Sequence, residues 1–340
     1  MPVVGIICIV VFSPWDGMWA WITPLPDTVQ EQLDDAIGYG LDGIVVYVDE
    51  AGQPPAFYTA GWKDRDNQIP ADPQSFFKIG SISKLYVAAA TAKLVNNQSL
   101  SLDDTLADYF SELVGRIENA DQITLRMMLQ HRSGIPNLTD QPNYHWDNPP
   151  KNSRESLELV LDMPADFEPD EKYSYSNTNY LLIGEILDKV LGYSHHQYIK
   201  EEILIPLELK NTFSSLNEVD IDDVMSGYYV GVEPDLKSID FGMVATAEDV
   251  GLFLRALNDG SLFSDNEQAI YSSIYEYEHT GWVLGYQSIA RYHEDIDTVV
   301  VQFVNTTGGT PMVQLFDTQG GTTVMVSDVV YSRIVRILHR

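Results

Sequence analysis

Phe76-Phe77-Lys78-Ile79-Gly80-Ser81-Ile82-Ser83-Lys84 sets two kinds of structure end to end. Phe76, Phe77 and Ile79 form a short apolar run that Gly80 stops. From Ser81 onward Ile82, Leu85, Ala88, Ala89, Ala92 and Val95 recur at spacings of three and four, the pattern of a helix. Ser81 therefore falls in a first helical turn, whose unpaired amides and positive dipole end favour an anion forming there. Lys84 lies three residues on, on the same helical face, near enough for its amine to reach the serine hydroxyl. In an Ala-rich, buried helix desolvation disfavours the charged amine, so the pair reads as a nucleophile beside its base.

Outward from this stretch the chain changes character. An amphipathic helix over about residues 28–37 leads into Gly43-Ile44-Val45-Val46-Tyr47-Val48, a β-branched run expected to be a buried strand, and a second strand is expected over 56–62. Helical patterns dominate the middle, at 102–110, 125–130, 177–191 and 247–257, with a polar, proline-containing loop at 141–153. Strand patterns return at 278–282, 286–292 and 298–304, before a helix over about 324–337. The expected fold class is α/β of the α+β type: an antiparallel sheet built from the N- and C-terminal segments and flanked by helices, with an inserted, mostly helical lobe. The sheet lobe is expected at about 26–80 and 265–340 and the helical lobe at about 81–264, together forming one domain over 26–340.

Two further strings follow the serine in order, Tyr175-Ser176-Asn177 and His279-Thr280-Gly281. With Ser81-x-x-Lys84 they resemble the signature of the penicillin-recognising serine hydrolases, Ser-x-x-Lys, Ser-Asp-Asn and Lys-Thr-Gly. Tyrosine stands for the second motif's serine and histidine for the third motif's lysine. Those changes look like the branch of class C β-lactamases, D-alanyl-D-alanine carboxypeptidases, D-aminopeptidases and β-lactamase-like esterases. Met127 to Pro136, Tyr175 to Gly184, Met243 to Asp249 and Val299 to Asn305 also look like family landmarks, and the likeness covers roughly residues 28–338.

The resemblance implies that the three strings converge on one cleft and that the reaction is acyl transfer. Ser81 would attack, Lys84 and Tyr175 would share its proton, and Tyr175 would later activate water. Backbone amides of Ser81 and Trp282 would form the oxyanion hole, while Asn177, His279, Thr280 and Gly281 would hold the substrate. Tyrosine titrates near pH 10, so a basic Tyr175 needs a cation nearby, which Lys84 and His279 could supply. The chain departs from the family pattern in one place. Sixteen residues separate Leu262 from His279, without the glycine- and aromatic-rich strand that relatives often carry there.

Each of these residues also has an ordinary structural reading. Tyr175 could pack a loop, Asn177 could cap a helix, and His279 could be a plain strand histidine. His131 is expected to pack a turn, and the adjacent His195 and His196 to be solvated, with no Glu-x-x-His zinc pattern beside them. No Gly-x-Ser-x-Gly elbow supports a Ser-His-Asp triad.

A net charge of −30 over 340 residues disfavours nucleic acid and anionic membrane surfaces. A single cysteine, Cys8, excludes an intramolecular disulfide and a thiolate metal cluster, so neither metal nor cofactor is expected. Residues 3–12 form an apolar run of signal-core length without a cationic leader, the first Lys or Arg being Lys63. Residues 1–25 are thus expected to be a signal or N-terminal segment of an exported protein. The expected function is a serine hydrolase acting through an acyl-enzyme on a small-molecule or peptide ester or amide. The alternative is a catalytically silent binding or scaffold protein of the same fold.

Overall fold

The computed structural model describes residues 20, 22–233, 235–308 and 321–340, so almost all of the apolar N-terminal segment, Cys8 included, lies outside the described residues. The chain divides into two compact units. One comprises residues 1–82, 211–255 and 278–340, the other residues 83–210 and 256–277.

Every described strand belongs to the first unit. Its main sheet is six-stranded and antiparallel, with strands β1 (Gly43–Glu50), β2 (Ala56–Asp64), β3 (Ile69–Pro70), β8 (His279–Val283), β9 (Tyr286–His293) and β10 (Thr298–Val304) in the order β3-β2-β1-β10-β9-β8. β1 pairs with β10 through Val45↔Phe303 and Val301↔Tyr47, which joins the two ends of the chain in one sheet. β8 pairs only with β9, Gly281 opposite Ser288, and so forms an edge.

β1 is buried from Gly43 to Val48 because both faces of the sheet are covered. Ile44, Val46 and Val48 meet Leu33 and Ala36 of helix α1 (Val29–Gly38) and Val326, Val330 and Ile334 of helix α10 (Gly321–Leu338), together with Ile289, Val300 and Val304. Thr28 and Glu31 close the start of α1 with a reciprocal capping box. On the opposite face Phe77 stacks on Phe303 at 4.4 Å and meets Tyr286 edge-on at 5.0 Å.

A second, three-stranded sheet joins β4 (Phe77–Lys78), β7 (Val244–Ala245) and β5 (Thr212–Phe213), with Ala245 opposite both Phe77 and Thr212. Another short pair sets β11 (Thr306–Thr307) parallel to β6 (Tyr228–Tyr229). These ladders group residues 211–255 with the sheet rather than with the helices, where the sequence division put them. The strands are two residues long and carry no periodic signal that could show this in advance.

The second unit is built around helix α2 (Ser83–Asn96), buried along nearly its whole length. It carries helices α3 (Leu106–Tyr109), α4 (Leu125–Leu129), α5 (Ser153–Leu157), α6 (Asn177–Leu191), α7 (His195–Ile199) and α9 (Asp265–Ser272), and α8 (Ala247–Asp259) runs across the division of the chain. The helix expected over 102–110 is only one turn, Leu106–Tyr109. Thr105 and Asp108 form a capping box that starts the helix late, and Ser101 Oγ accepts from the Asp103 amide. Residues 265–277, assigned from sequence to the sheet lobe, contain α9, which packs on α2 instead.

Candidate active site

The first unit holds Ser81 and the third motif. Ser81 lies in a 3₁₀ turn, Gly80–Ile82, and the α-helix proper begins at Ser83, two residues later than the pattern of apolar residues suggests. The turn is tight because it packs directly against the backbone of β8. Gly80 has φ of +55°, and a Cβ there would stand 3.0 Å from the Trp282 nitrogen. A Cβ on Gly281 would stand 2.0 Å from the Ile79 carbonyl oxygen and 2.3 Å from Ser288 Oγ. Ser288 Oγ in turn donates to the Ile79 oxygen at 3.0 Å. Gly80 and Gly281 are thus the residues that let a strand edge and the serine turn approach backbone to backbone.

Along β8, His279 and Trp282 are partly exposed, Thr280 is exposed and Gly281 is buried. His279 Nδ1 donates to the Thr280 carbonyl oxygen.

The second unit holds the other candidates. Lys84, in the first turn of α2, is 6% exposed, and its Nζ donates to Asn177 Oδ1 at 2.9 Å. The same Nζ lies 5.0 Å from the ring centre of Tyr175 and 5.5 Å from that of Tyr180. Asn177 is the first residue of α6 and not its cap, since Ser176 occupies the cap position. Its amide is oriented from both sides: Nδ2 donates to Thr139 Oγ1 at 3.0 Å, so Oδ1 faces the lysine, and its backbone N–H donates to Asn137 Oδ1 at 2.9 Å.

His131 packs a turn as expected, and the turn it packs is the one carrying Tyr175. Buried at 2% exposure with φ of +56°, it accepts the Ser176 N–H on Nδ1 at 3.2 Å, and its ring centre is 4.4 Å from that of Tyr175. Further along the same loop, Ser133 Oγ donates to Asn179 Oδ1 at 2.6 Å and Thr178 Oγ1 donates to the Pro136 oxygen at 2.7 Å. Asn137 and Thr139 were not singled out from sequence. They directly follow the string 127–136, and that adjacency was the available signal.

His195 is not a solvated surface residue. Its ring lies over Gly184 of α6, where a Cβ would stand 3.0 Å away, and Nδ1 pairs with Asp188 Oδ1 at 2.8 Å. Among the described residues no group of three or more His, Cys, Asp or Glu is placed to hold a metal ion.

A family model described as Beta-lactamase matches residues 25–273, and the chain belongs to that family, which has serine hydrolase members. Protein flp of Staphylococcus aureus (strain MW2) is 25% identical over 228 residues, 64% of this chain and 45% of that protein. Penicillin-binding protein 4* of Bacillus subtilis (strain 168) is 25% identical over 166 residues, 48% of this chain and 36% of that protein. The chain thus spans less than half the length of these curated relatives. Among solved structures, D-amino acid amidase from Ochrobactrum anthropi SV3 superposes with a TM-score of 0.75 at 22% identity, covering 91% of this chain and 97% of that one. The penicillin binding protein from Bacillus halodurans does so with a TM-score of 0.70 at 19% identity, covering 89% and 99%. At these identities the two likenesses establish the fold, a mixed α/β architecture with a six-stranded antiparallel sheet flanked by helices.

Proposed function

We propose that this chain is a serine hydrolase that cleaves an ester or amide through an acyl-enzyme, with Ser81 as nucleophile. The observation that carries the reading is the buried Lys84 amine, held at 2.9 Å by Asn177 and facing the ring of Tyr175, three residues after a serine whose turn abuts a strand edge.

In this reading Ser81 Oγ adds to the substrate carbonyl carbon as its proton passes to the Lys84–Tyr175 pair. The amides of Ser81 and Trp282 stabilise the tetrahedral oxyanion, in the first turn of a helix and on a strand edge. The leaving group departs with the proton, and the ester on Ser81 remains. Water, deprotonated by the same pair, then adds to the acyl carbon, and collapse of the second tetrahedral species releases the acid and returns the proton to Ser81. Asn177 orients the substrate, and His279, the first residue of β8, helps to hold it. No Lys or Arg occurs between Arg255 and Arg291, so an anionic substrate end finds no cation in that stretch; neutral esters or amides are the preferred class. The relative described as a D-amino acid amidase supports an amide substrate.

The test is labelling by a fluorophosphonate and by a fluorescent penicillin, followed by turnover of a D-Ala-D-Ala peptide, nitrocefin and a short p-nitrophenyl ester. Wild type should carry the label on the Ser81 peptide and Ser81→Ala should lose it. More than a tenth of wild-type turnover in Ser81→Ala would overturn the assignment of the nucleophile. Absence of both labelling and turnover in the wild type would favour the scaffold reading.

A further inference from the structure

The sixteen residues between Leu262 and His279 contain α9 and a short segment after it, and they carry three tyrosines, Tyr271, Tyr275 and Tyr277, all within the second unit. The segment is anchored along its length. The Ser273 oxygen accepts from Gln130 Nε2 at 2.9 Å, and the Tyr275 N–H donates to the Tyr271 oxygen at 3.0 Å. The Glu276 oxygen accepts from the Tyr271 hydroxyl at 2.6 Å, and the Tyr277 oxygen accepts from Asn258 Nδ2 at 3.1 Å. These bonds fix the backbone on both sides of Tyr275. Its ring centre lies 5.3 Å from that of Tyr180 and 6.3 Å from that of His131, the histidine packed against Tyr175. Gln130 ends α4 and directly precedes His131, so one short stretch both anchors the segment and packs the Tyr175 turn.

Tyr175, Tyr180 and Tyr275 therefore gather around one imidazole, with Lys84 Nζ 5.0 Å and 5.5 Å from the first two rings. The Tyr275 hydroxyl is shut off from solvent. Burial holds its proton most strongly and a negative Tyr175 comes next, ahead of Tyr271 and Glu276, while a hydrogen bond from Tyr180 acts the other way. Burial holds the Tyr180 proton too. The other titratable groups near Tyr175 are Lys84, His131 and the exposed Tyr173. Two tyrosines are thus kept as neutral phenols beside the one to which the mechanism gives a proton. A phenol that accepts a hydrogen bond still has its own proton to donate, and donation is stronger to an anion than to a neutral oxygen.

We propose that Tyr275 is a positioning residue of the proton-transfer pair: its buried hydroxyl keeps its proton and presents it to the Tyr175 oxygen as that oxygen becomes negative. Tyr275 neither gains nor loses a proton in the reaction. The inference deepens the serine-hydrolase reading and rests on it for its place in catalysis, whereas the donor role towards Tyr175 can be measured without turnover.

The experiment uses the whole protein and two readouts. The first is kcat and KM for p-nitrophenyl acetate from pH 5 to 9.5. Tyr275→Phe keeps the ring and removes the hydroxyl, so the acid limb of the kcat profile should move up by about one to two pH units, the worth of a hydrogen bond to a charged group, with KM within about threefold. Tyr173→Phe is the control and should leave the limb in place, because water replaces an exposed hydroxyl. 3-Fluorotyrosine placed at position 275 keeps ring and hydroxyl but is the stronger donor, and it should move the limb down. The second readout is the pH titration of the Tyr175 Cζ signal in Ser81→Ala protein labelled with carbon-13 tyrosine, assigned by its loss in Tyr175→Phe. Its midpoint should move in the same two directions.

If the wild type labels with fluorophosphonate and turns over the ester, but folded Tyr275→Phe and the fluorinated protein keep the wild-type limb, the inference is overturned while the hydrolase reading stands. If nothing labels or turns over, yet the Tyr175 signal moves oppositely with the two changes, the hydrolase reading falls and the donor role stands. Should Tyr275→Phe fail to fold, the fluorinated protein decides, and an unmoved Tyr175 titration overturns the inference. Shifts in one direction from both changes would mean ring packing alone and would overturn it as well.

Discussion

Replacing Gly281 by alanine tests whether the backbone of β8 acts in the reaction. The added methyl would stand 2.0 Å from the Ile79 oxygen and 2.3 Å from Ser288 Oγ. Ser288 can rotate away, but Ile79 O is backbone and belongs to the segment leading into the serine turn. Reaching even a tight contact requires strand and turn to separate by about 1 Å, and overpacking of this kind costs about 1–3 kcal/mol of stability. The separation carries the Trp282 N–H about 1 Å away from the Ser81 N–H, enough to take a hydrogen bond of about 2.9 Å beyond useful range. Loss of one oxyanion donor lowers kcat by about 10²–10³-fold. Gly281→Ala should therefore remain folded, with a lowered Tm, and lose about two to three decades of kcat on a p-nitrophenyl ester while KM moves little. Gly192→Ala is the control: Gly192 caps α6 at φ of +75° with no heavy atom within 4 Å of its would-be Cβ, so alanine costs about 1 kcal/mol of backbone strain and touches no candidate residue. A folded Gly281→Ala protein that keeps kcat within threefold of wild type would refute the role given to the β8 backbone.

Three other perturbations probe separate parts of the account. Tyr175→Phe keeps the ring that faces Lys84 and removes the hydroxyl, so acylation and deacylation should both slow by about 10²–10⁴-fold in rapid-quench traces; unchanged rates in both phases would remove Tyr175 from proton transfer. His131→Leu removes the acceptor for the Ser176 N–H and should lower kcat more than it raises KM, whereas His131→Asn, whose amide oxygen can stand where Nδ1 stood, should recover much of the loss; equal damage in both would mean that ring packing alone matters. Lys78, 2% exposed, donates to the Leu236 oxygen at 2.9 Å, and burial pushes its pKa down from 10.5 to about 7. Between those values the unfolded chain holds the extra proton, so the destabilisation is fully present below about pH 7 and fades as pH rises towards 10.5. Lys78→Met should therefore gain on wild type more at pH 6.5 than at pH 9.5, by on the order of 3 kcal/mol in urea unfolding, and a gain that does not change with pH would contradict the depressed value.

Much of the fold could be read directly from the chain. The long elements with strong periodicity, β1, α6 and β8 to β10, fall within a residue or two of their patterns, because each buries a face whose spacing is written in consecutive side chains. The candidates Ser81 and Lys84 were proposed for a different reason, the helical spacing that sets a nucleophile beside a base, and Tyr175 and Asn177 from the resemblance to the family's second motif. The two-residue strands β4, β5 and β7, the single turn of α3 and the helix α9 were not legible, since elements so short or so polar are stabilised by distant partners and local capping rather than by a repeating face.

What the sequence determined by itself is the order of the long elements, the net acidic charge and the chemical identities of the candidate residues. Tertiary structure alone decided how those residues are held. It set the Asn177 amide oxygen towards Lys84 through Thr139, placed His131 beneath Tyr175, and pressed Gly80 and Gly281 together so that a strand edge meets the serine turn. The physical reason is that hydrogen-bond direction and close backbone approach depend on residues tens to hundreds of positions apart, such as Ile79 and Ser288, whose proximity no local pattern records.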